Sequence, residues 1–374
     1  MRKVNISPVD TVFANGIYPI EMLFFYSQKL STQRIRSSIE FLSKIFWPLF
    51  GVYDSGAIQF DRYSEEACFQ EVISAEEFDQ NESYSELYRK YQNMNPSEMS
   101  RLFHMTVVQY NNGTALIPKM NHLAGDGYSY FYFLSSLAAL TRGLSIPFKK
   151  YVIRSLVKPA HNRNVLKNFI LDDIVLRPAA KPPMYTTKIE TIPKNNVRET
   201  IQTIKSSSDQ RVSTNDVLSA IFVKKLDEIQ KSDTENQMRL NIPVDVRRHV
   251  KEYGQKYFGN ALLFNVTDFY RSEIRESNVE DIAVKIRESM PRDTRKRYME
   301  FLNGLEDVVS QKQVDRLRPF DPETGCLITN LSKMPTHRLN FGTGDPGSIV
   351  PLTMEKNAAA IFSEGDNFIL RYAW

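Results

Sequence analysis

Hydrophobic and polar positions alternate most cleanly in the second half of the chain. Met238, Leu240, Ile242, Val244 and Val246 are separated by Arg239, Asn241, Pro243, Asp245 and Arg247. A period of two marks a strand with one face in a core and polar groups on the other. Pro243 removes a ladder donor, so this strand is expected at a sheet edge or with a bulge. Earlier, residues 106–110 and 115–120 read as two strands, joined by the turn signal Asn111-Asn112-Gly113. Residues 22–26 form a short apolar strand, and 58–72 a strand region. Further strands are expected at 257–264, entered through Gly259, at 325–329, and in a hairpin of 358–362 with 368–372.

Helical spacing interrupts these strands. Ile35, Ile39, Leu42 and Phe46 recur every three or four positions, behind a cap at Ser31 or Thr32. Residues 128–140 are apolar on nearly every side and read as a buried helix, with Arg142 in its last turn and Gly143 at its exit. Leu218, Phe222, Leu226 and Ile229 make one stripe, preceded by Ser213 and Asp216 at capping-box spacing. Residues 76–100 are acidic and rich in Tyr and Asn, which suits surface loop and a short helix. Residues 197–205 read as a strand entering a helix, and 277–316 as mostly helical.

Strand and helix patterns thus mix in both halves, which predicts an α/β protein. A chain of 374 residues suggests two domains. Between 144 and 196, prolines at 147, 159, 178, 182, 183 and 193 break any period. The expected organisation is an N-terminal domain over 1–160, a crossover over 161–195 and a C-terminal domain over 196–374. No internal repeat is visible.

Composition narrows the function. The chain is 42% hydrophobic and 25% charged, with a formal net charge of +4. That mild excess suits an anionic co-substrate but is no basic stripe, so nucleic acid is not an expected partner. Cys68 and Cys326 are too few for a disulfide framework and fit a reducing, cytoplasmic setting as buried spacers. No apolar run follows the N-terminus, and no stretch approaches the ~20 residues of a membrane span. His104, His161, His249 and His337 form no close pairs, so no metal site is expected.

The candidate chemistry lies at Asn121-His122-Leu123-Ala124-Gly125-Asp126-Gly127, between a strand and the buried helix. A histidine at a strand end can be aimed by a rigid element. Taken alone, His122 is equally a satisfied histidine at a domain seam.

These residues resemble the HxxxDG motif of the BAHD acyltransferases, in the chloramphenicol-acetyltransferase-like superfamily. Other segments resemble the same family in the same order. They are Ile6-Ser7-Pro8-Val9-Asp10, the helix exit from Leu42 to Gly51, Asn241 to Arg247 followed by Gly259-Asn260, and Asn340-Phe341-Gly342-Thr343-Gly344 in place of DFGWG. In that last motif the family's Asp is Asn340 and its Trp is Thr343. Asn121 stands where condensation domains usually carry a second histidine.

The resemblance implies two chloramphenicol-acetyltransferase-like domains, each a mixed sheet flanked by helices, with an active-site tunnel at their interface. It implies transfer of an acyl group from acyl-CoA, a co-substrate and not a resident cofactor, to a small alcohol or amine in secondary metabolism. The monomer is the expected state. His122 would be the general base. Asp126 would pair with Arg247 and hold the loop with Gly127; the plainer reading makes Asp126 the cap of the following helix and Arg247 a solvated strand residue. Thr329, eleven residues before Asn340, would offer a hydroxyl to the developing oxyanion, or else bond to backbone as an ordinary strand threonine. The tryptophan that accompanies it in relatives is Leu331 here, with Asn330 as a substitute donor. Asn340, Phe341, Gly342 and Gly344 would shape the cofactor channel. Lys149, Lys150, Arg154 and Lys158 suit coenzyme A phosphates or a solvated face. Tyr128, Tyr130, Phe131 and Phe133 suit a pocket or, more simply, core. The rivals are a condensation or polyketide-release enzyme of the same fold, served by an acyl carrier protein, and a non-catalytic binder.

Overall fold

The strand pair that leads to the histidine sits at the centre of the first lobe. Phe103–Tyr110 and Gly113–Met120 run antiparallel, with Tyr110 opposite Gly113 across the predicted turn. Asn112 secures that turn by accepting from Phe78 N and donating to Phe78 O, both at 2.9 Å. Ile20–Tyr26 pairs with Gly113–Met120, and Phe69–Ile73 lies parallel to Phe103–Tyr110. Every residue of Gly113–Met120 is buried, because the sheet is covered on both faces. One face carries the helices Thr32–Ser43 and Gly127–Thr141 over Phe24, Phe103 and Met105. The other carries Tyr84–Tyr91 over Leu23, Phe25 and Ile117. The computed structural model describes residues 1–13, 19–92, 94–96, 100–146, 152–153, 185–208, 210–231, 236–254, 257–310, 317–353 and 355–374.

The second lobe is a six-stranded mixed sheet. Its order is Leu262–Tyr270, Gln237–Asp245, Gly325–Asn330, Ala358–Glu364, Asn367–Ala373 and Thr187–Pro193. Helices Lys194–Ser207, Thr214–Gln230 and Val279–Ser289 cover one face through Phe222, Leu226 and Ile282. On the other face Ala360, Phe362 and Ile369 join the core of the first lobe. The chain also returns: Ser348–Pro351 adds a fifth strand to the first lobe's sheet, beside Ile20–Tyr26. A single cut in sequence therefore does not divide the lobes in space.

Several expectations change. Gln237–Asp245 lies second from the edge and not at the edge. Its ladder with Leu262–Tyr270 is continuous, but Gly325–Asn330 pairs only with Arg239, Leu240 and Asn241. Val246 N bonds Ala261 O, so by the alternation of antiparallel pairs Pro243 turns its nitrogen away from Leu262–Tyr270. It faces the side where the parallel partner has already ended, and no donor is missed. The strand expected over 197–205 lies earlier, at Thr187–Pro193, and 194–207 is helix. Residues 257–264 are not one strand. Gly259 at φ +142° ends Tyr257–Phe258, and the long strand starts at Leu262. The strand region over 58–72 is broken by a short helix, Glu65–Cys68. Most of the crossover, residues 161–184, lies outside the described residues, as do Lys149, Lys150, Arg154 and Lys158.

Gly113 shows how tightly the first sheet is built. A Cβ there would sit 2.1 Å from Tyr26 O and 2.6 Å from the Phe25 ring. Overpacking of this kind costs ~1–3 kcal/mol or more. Gly113→Ala is expected to lower the urea midpoint accordingly, whereas Gly143→Ala, with no atom nearby, carries only the strain of its positive φ.

Candidate active site

The loop between strand and helix is shaped by its own polar side chains. Asn121 follows the strand and accepts from Leu123 N at 3.0 Å, which starts a single tight turn over His122–Ala124. Gly125 N then donates to His122 O at 3.2 Å. A Cβ on Gly125 would lie 2.8 Å from Ser129 Cβ, so a glycine is required for the loop to lie on its helix.

Asp126 fulfils both readings of it. Its Oδ1 accepts from Ser129 N at 3.0 Å and so caps helix Gly127–Thr141. The same carboxylate takes a bidentate pair from Arg247, Nη1 to Oδ2 at 2.8 Å and Nη2 to Oδ1 at 3.0 Å. Ala261 N adds a fourth donor to Oδ2 at 3.0 Å. Four donors fill the carboxylate's acceptor positions. Arg247 spends its other hydrogens on Gly259 O, Tyr257 O, Ser129 Oγ and Asp245, and its guanidinium lies 4.5 Å from the centre of the Tyr128 ring. Asp126 and Arg247 are only 1% and 4% exposed, so Arg247 is not a solvated strand residue. Burial alone would raise the Asp126 pKa, but the Arg247 charge and the hydrogen bonds outweigh it and hold the carboxyl below its ordinary range.

His122 is held from three sides. Phe13, at the end of the opening turn Pro8–Phe13, stacks on the imidazole with centroids 3.7 Å apart and planes 19° from parallel. Asn260 Nδ2 donates to His122 O at 2.9 Å and to Asp10 Oδ1 at 2.8 Å. Asp10 Oδ2 in turn accepts from Ser7 N at 2.7 Å. Nδ1 is buried without a hydrogen-bond partner among the described residues. The ring lines a cavity of about 910 Å³ between the lobes. Burial pushes the His122 pKa down to about 4, against the opposing pull of Asp126. The imidazole is therefore neutral at physiological pH.

Thr329 lines the same cavity from the second sheet. Its backbone pairs with Ala360, but its hydroxyl makes no hydrogen bond among the described residues. Leu331 and Gly127 line the cavity as well. Asn330 also lines the cavity, and one hydrogen of its amide goes to Asn215 Oδ1 at 2.9 Å. Asn340, Phe341, Gly342 and Gly344 are absent from the cavity wall. Asn340 Oδ1 instead accepts from Gly342 N at 2.7 Å and Gly344 N at 3.2 Å, both glycines having positive φ. Phe341 meets the edge of Tyr26. Of the four aromatics after the loop, only Tyr128 reaches the cavity; Tyr130, Phe131 and Phe133 are core.

Sequence reasoning gave no role to Phe13, Ser129, Asp10 or Asn260. Asp10 and Asn260 stand in recognisable segments, but nothing in their spacing says that they meet. Ser129 accepts from Gly259 N at 3.0 Å and donates to Gly259 O at 2.9 Å, a contact across 130 positions. Among the described residues no group of His, Cys, Asp and Glu could hold a metal, and no helix is long and apolar enough to cross a membrane.

Two measurements test this arrangement. Asp126→Ala and Arg247→Met each strand a buried partner and are expected to cost ~3–5 kcal/mol in urea unfolding. The double variant should cost clearly less than the sum, and strict additivity would contradict the pair. His122 has a folded pKa of about 4, below the ordinary 6.5, so the unfolded chain takes up a proton first as pH falls. The stability that His122 contributes is thus present above pH 6.5 and is lost toward pH 4. His122→Phe should remove that part of the pH dependence.

Residues 54–366 match the model of a family described as the Transferase family. No curated protein matches the sequence. Among solved structures, TRI101 of F. graminearum, complexed with coenzyme A and T-2 mycotoxin, has a TM-score of 0.78 at 14% identity, covering 100% of this chain and 95% of that one. Vinorine synthase gives 0.70 at 17% identity, over 100% of this chain and 90% of that one. The first condensation domain of the CDA synthetase gives 0.63 at 10% identity, over 100% and 90%. These structures share the two-domain fold, and the family match extends over most of the sequence. The chain belongs to the Transferase family, the BAHD acyltransferases.

Proposed function

We propose that this protein transfers an acyl group from an acyl-CoA thioester to the hydroxyl or amine of a small acceptor, with both substrates bound together and His122 as general base. The observation that carries the reading is a neutral imidazole on the wall of an interdomain cavity, beside an aspartate that is already saturated. Asp126 has no free lone pair for substrate, so its part is to hold the loop. With Nδ1 buried, Nε2 is the ring nitrogen available to the cavity.

The chemistry balances with these groups. Nε2 takes the acceptor's proton as its oxygen or nitrogen adds to the thioester carbonyl carbon. The carbonyl oxygen becomes an oxyanion, and the free Thr329 hydroxyl is the donor offered to it. Collapse breaks the carbon–sulfur bond, and the departing thiolate recovers the proton from the imidazolium. Ester or amide and free coenzyme A result, with no acyl group left on the protein. Holding donor and acceptor at one seam supplies proximity that a bimolecular encounter lacks.

Coenzyme A is the ligand named in the TRI101 complex, and this cavity has a wall that suits it. The N-terminus of helix Thr214–Gln230 opens there through Ser213, Thr214 and Asn215, with Lys333 on the lining and Arg287 paired with Asp216 of the first turn. Donor N–H groups and cations favour an anionic ligand.

His122→Ala is expected to keep its melting temperature and to lose ~10²–10⁴-fold in thiol release from acyl-CoA. Undiminished turnover in that variant would end the reading. Turnover only with carrier-tethered acyl groups, and none with free acyl-CoA, would move it to the carrier-dependent branch. The acid limb of kcat/KM that belongs to His122 should fall near pH 4 and not near 6.5.

A further inference from the structure

One buried carboxyl group on the cavity wall has no part in the transfer chemistry. Glu21 is 3% exposed and lines the cavity. Its Oε1 accepts from Asn95 Nδ2 at 2.6 Å. Asn95 is itself fixed, by Ile117 O at 3.0 Å and by Thr106 Oγ1 at 2.7 Å. Lys119, across the strand pair, forms an ion pair with Oε2 at 3.7 Å and donates to Pro96 O at 2.7 Å. At that distance Oε2 has a counter-charge but no direct hydrogen bond among the described residues. A rigidly held carboxyl with one oxygen short of a close donor is an arrangement that a bound molecule can complete.

The strand register relates Glu21 to the reacting centre. Ile20 lies opposite Met120, two residues before His122, and Glu21 lies opposite Lys119. With ~4.8 Å between strands and ~3.3 Å per residue, the backbones of Glu21 and His122 stand roughly 10 Å apart, and both residues line the same cavity. Glu355 shares this end, since it and Glu21 both raise the pKa of the same Tyr88 after the effect of burial. Lys333 lies on the lining just after Asn330, which bonds Asn215 at the start of helix Thr214–Gln230, whereas Arg287 is already paired there with Asp216. A polyanionic donor is drawn to that helix start and Lys333, which leaves the carboxyl end to the acceptor.

We propose that Glu21 recognises the acceptor, accepting a hydrogen bond from a second hydroxyl or ammonium group carried at the far end from the atom that is acylated. This rests on the acyl-transfer reading above. The acceptor class that follows is an elongated molecule with hydrogen-donating groups at both ends, neutral or cationic, and without a carboxylate at the far end. Burial pushes the Glu21 carboxyl up to about 7, with Lys119 and Asn95 pulling the other way, and this keeps the group able to adapt to either kind of partner. Tyr88 and Tyr130 are the other titratable groups turned toward it from the helices on the two faces of the sheet.

The test uses the full chain, acetyl-CoA and longer acyl-CoAs as donors, and thiol release as the readout. The acceptors are four straight chains of one length: a diol, an amino alcohol, a plain alcohol and a hydroxy acid. Wild type should favour the diol and the amino alcohol over the plain alcohol, and the hydroxy acid least, with the differences in KM and not in kcat. Glu21→Gln should lower the ratio of kcat/KM for diol to plain alcohol about tenfold, the size of one hydrogen bond to a charged group. Because that variant leaves Lys119 without its counter-charge, the double variant Glu21→Gln/Lys119→Met is measured beside it, with melting curves for both. The same fall in a folded double variant supports the assignment. Thiol release with an unchanged ratio in both variants overturns the role of Glu21 and leaves acyl transfer standing. Thiol release from none of the acceptors in wild type overturns both.

Discussion

Two opposite charges buried between the lobes hold this structure in its working shape. Moving a carboxylate and a guanidinium out of water costs several kcal/mol for each ion. Their attraction offsets that only if every remaining lone pair and hydrogen finds a partner, and here they do. Asp126 closes the loop of the first lobe and caps its buried helix, while Arg247 follows directly on a strand of the second sheet. The pair therefore sets where the histidine loop stands relative to the opposite sheet. A looser loop would separate His122 from Thr329, which arrive at the cavity from different lobes.

The burial that makes the ion pair demanding also tunes the imidazole beside it. A charged ring stacked on Phe13 would lose its hydration, so His122 stays neutral. Asn260, itself held by Asp10, donates to the backbone carbonyl of His122 and leaves Nδ1 without a hydrogen bond among the described residues. The loop is thus held by polar contacts to its backbone and to Asp126, and not through the imidazole ring.

Much of this was legible in the chain and some was not, for identifiable reasons. The turn at Asn111-Asn112-Gly113, the cap at Ser31, the capping box of Ser213 and Asp216, and the helix after Asp126 all depend on neighbours within a few positions. Pro243 was placed at an edge because its sequence does not say how far each neighbouring strand runs. The strand Ser348–Pro351 joins a sheet more than three hundred residues away in sequence, and no periodicity announces that. Asp126 looked like a choice between a cap and an ion pair, yet its two oxygens have room for both.

Within the site the division is the same. Sequence by itself determined the candidate side chains, the α/β character and the local shape of the histidine loop, because motif spacing and short-range hydrogen bonding are written in consecutive residues. Tertiary structure decided that Arg247 is buried, that Thr329 keeps its hydroxyl free, that Asn330 meets Asn215, and that Glu21 lies on the cavity wall between Asn95 and Lys119. Those are outcomes of desolvation and of contacts between distant strands. Their energies depend on what else occupies the same space, which a linear pattern does not contain.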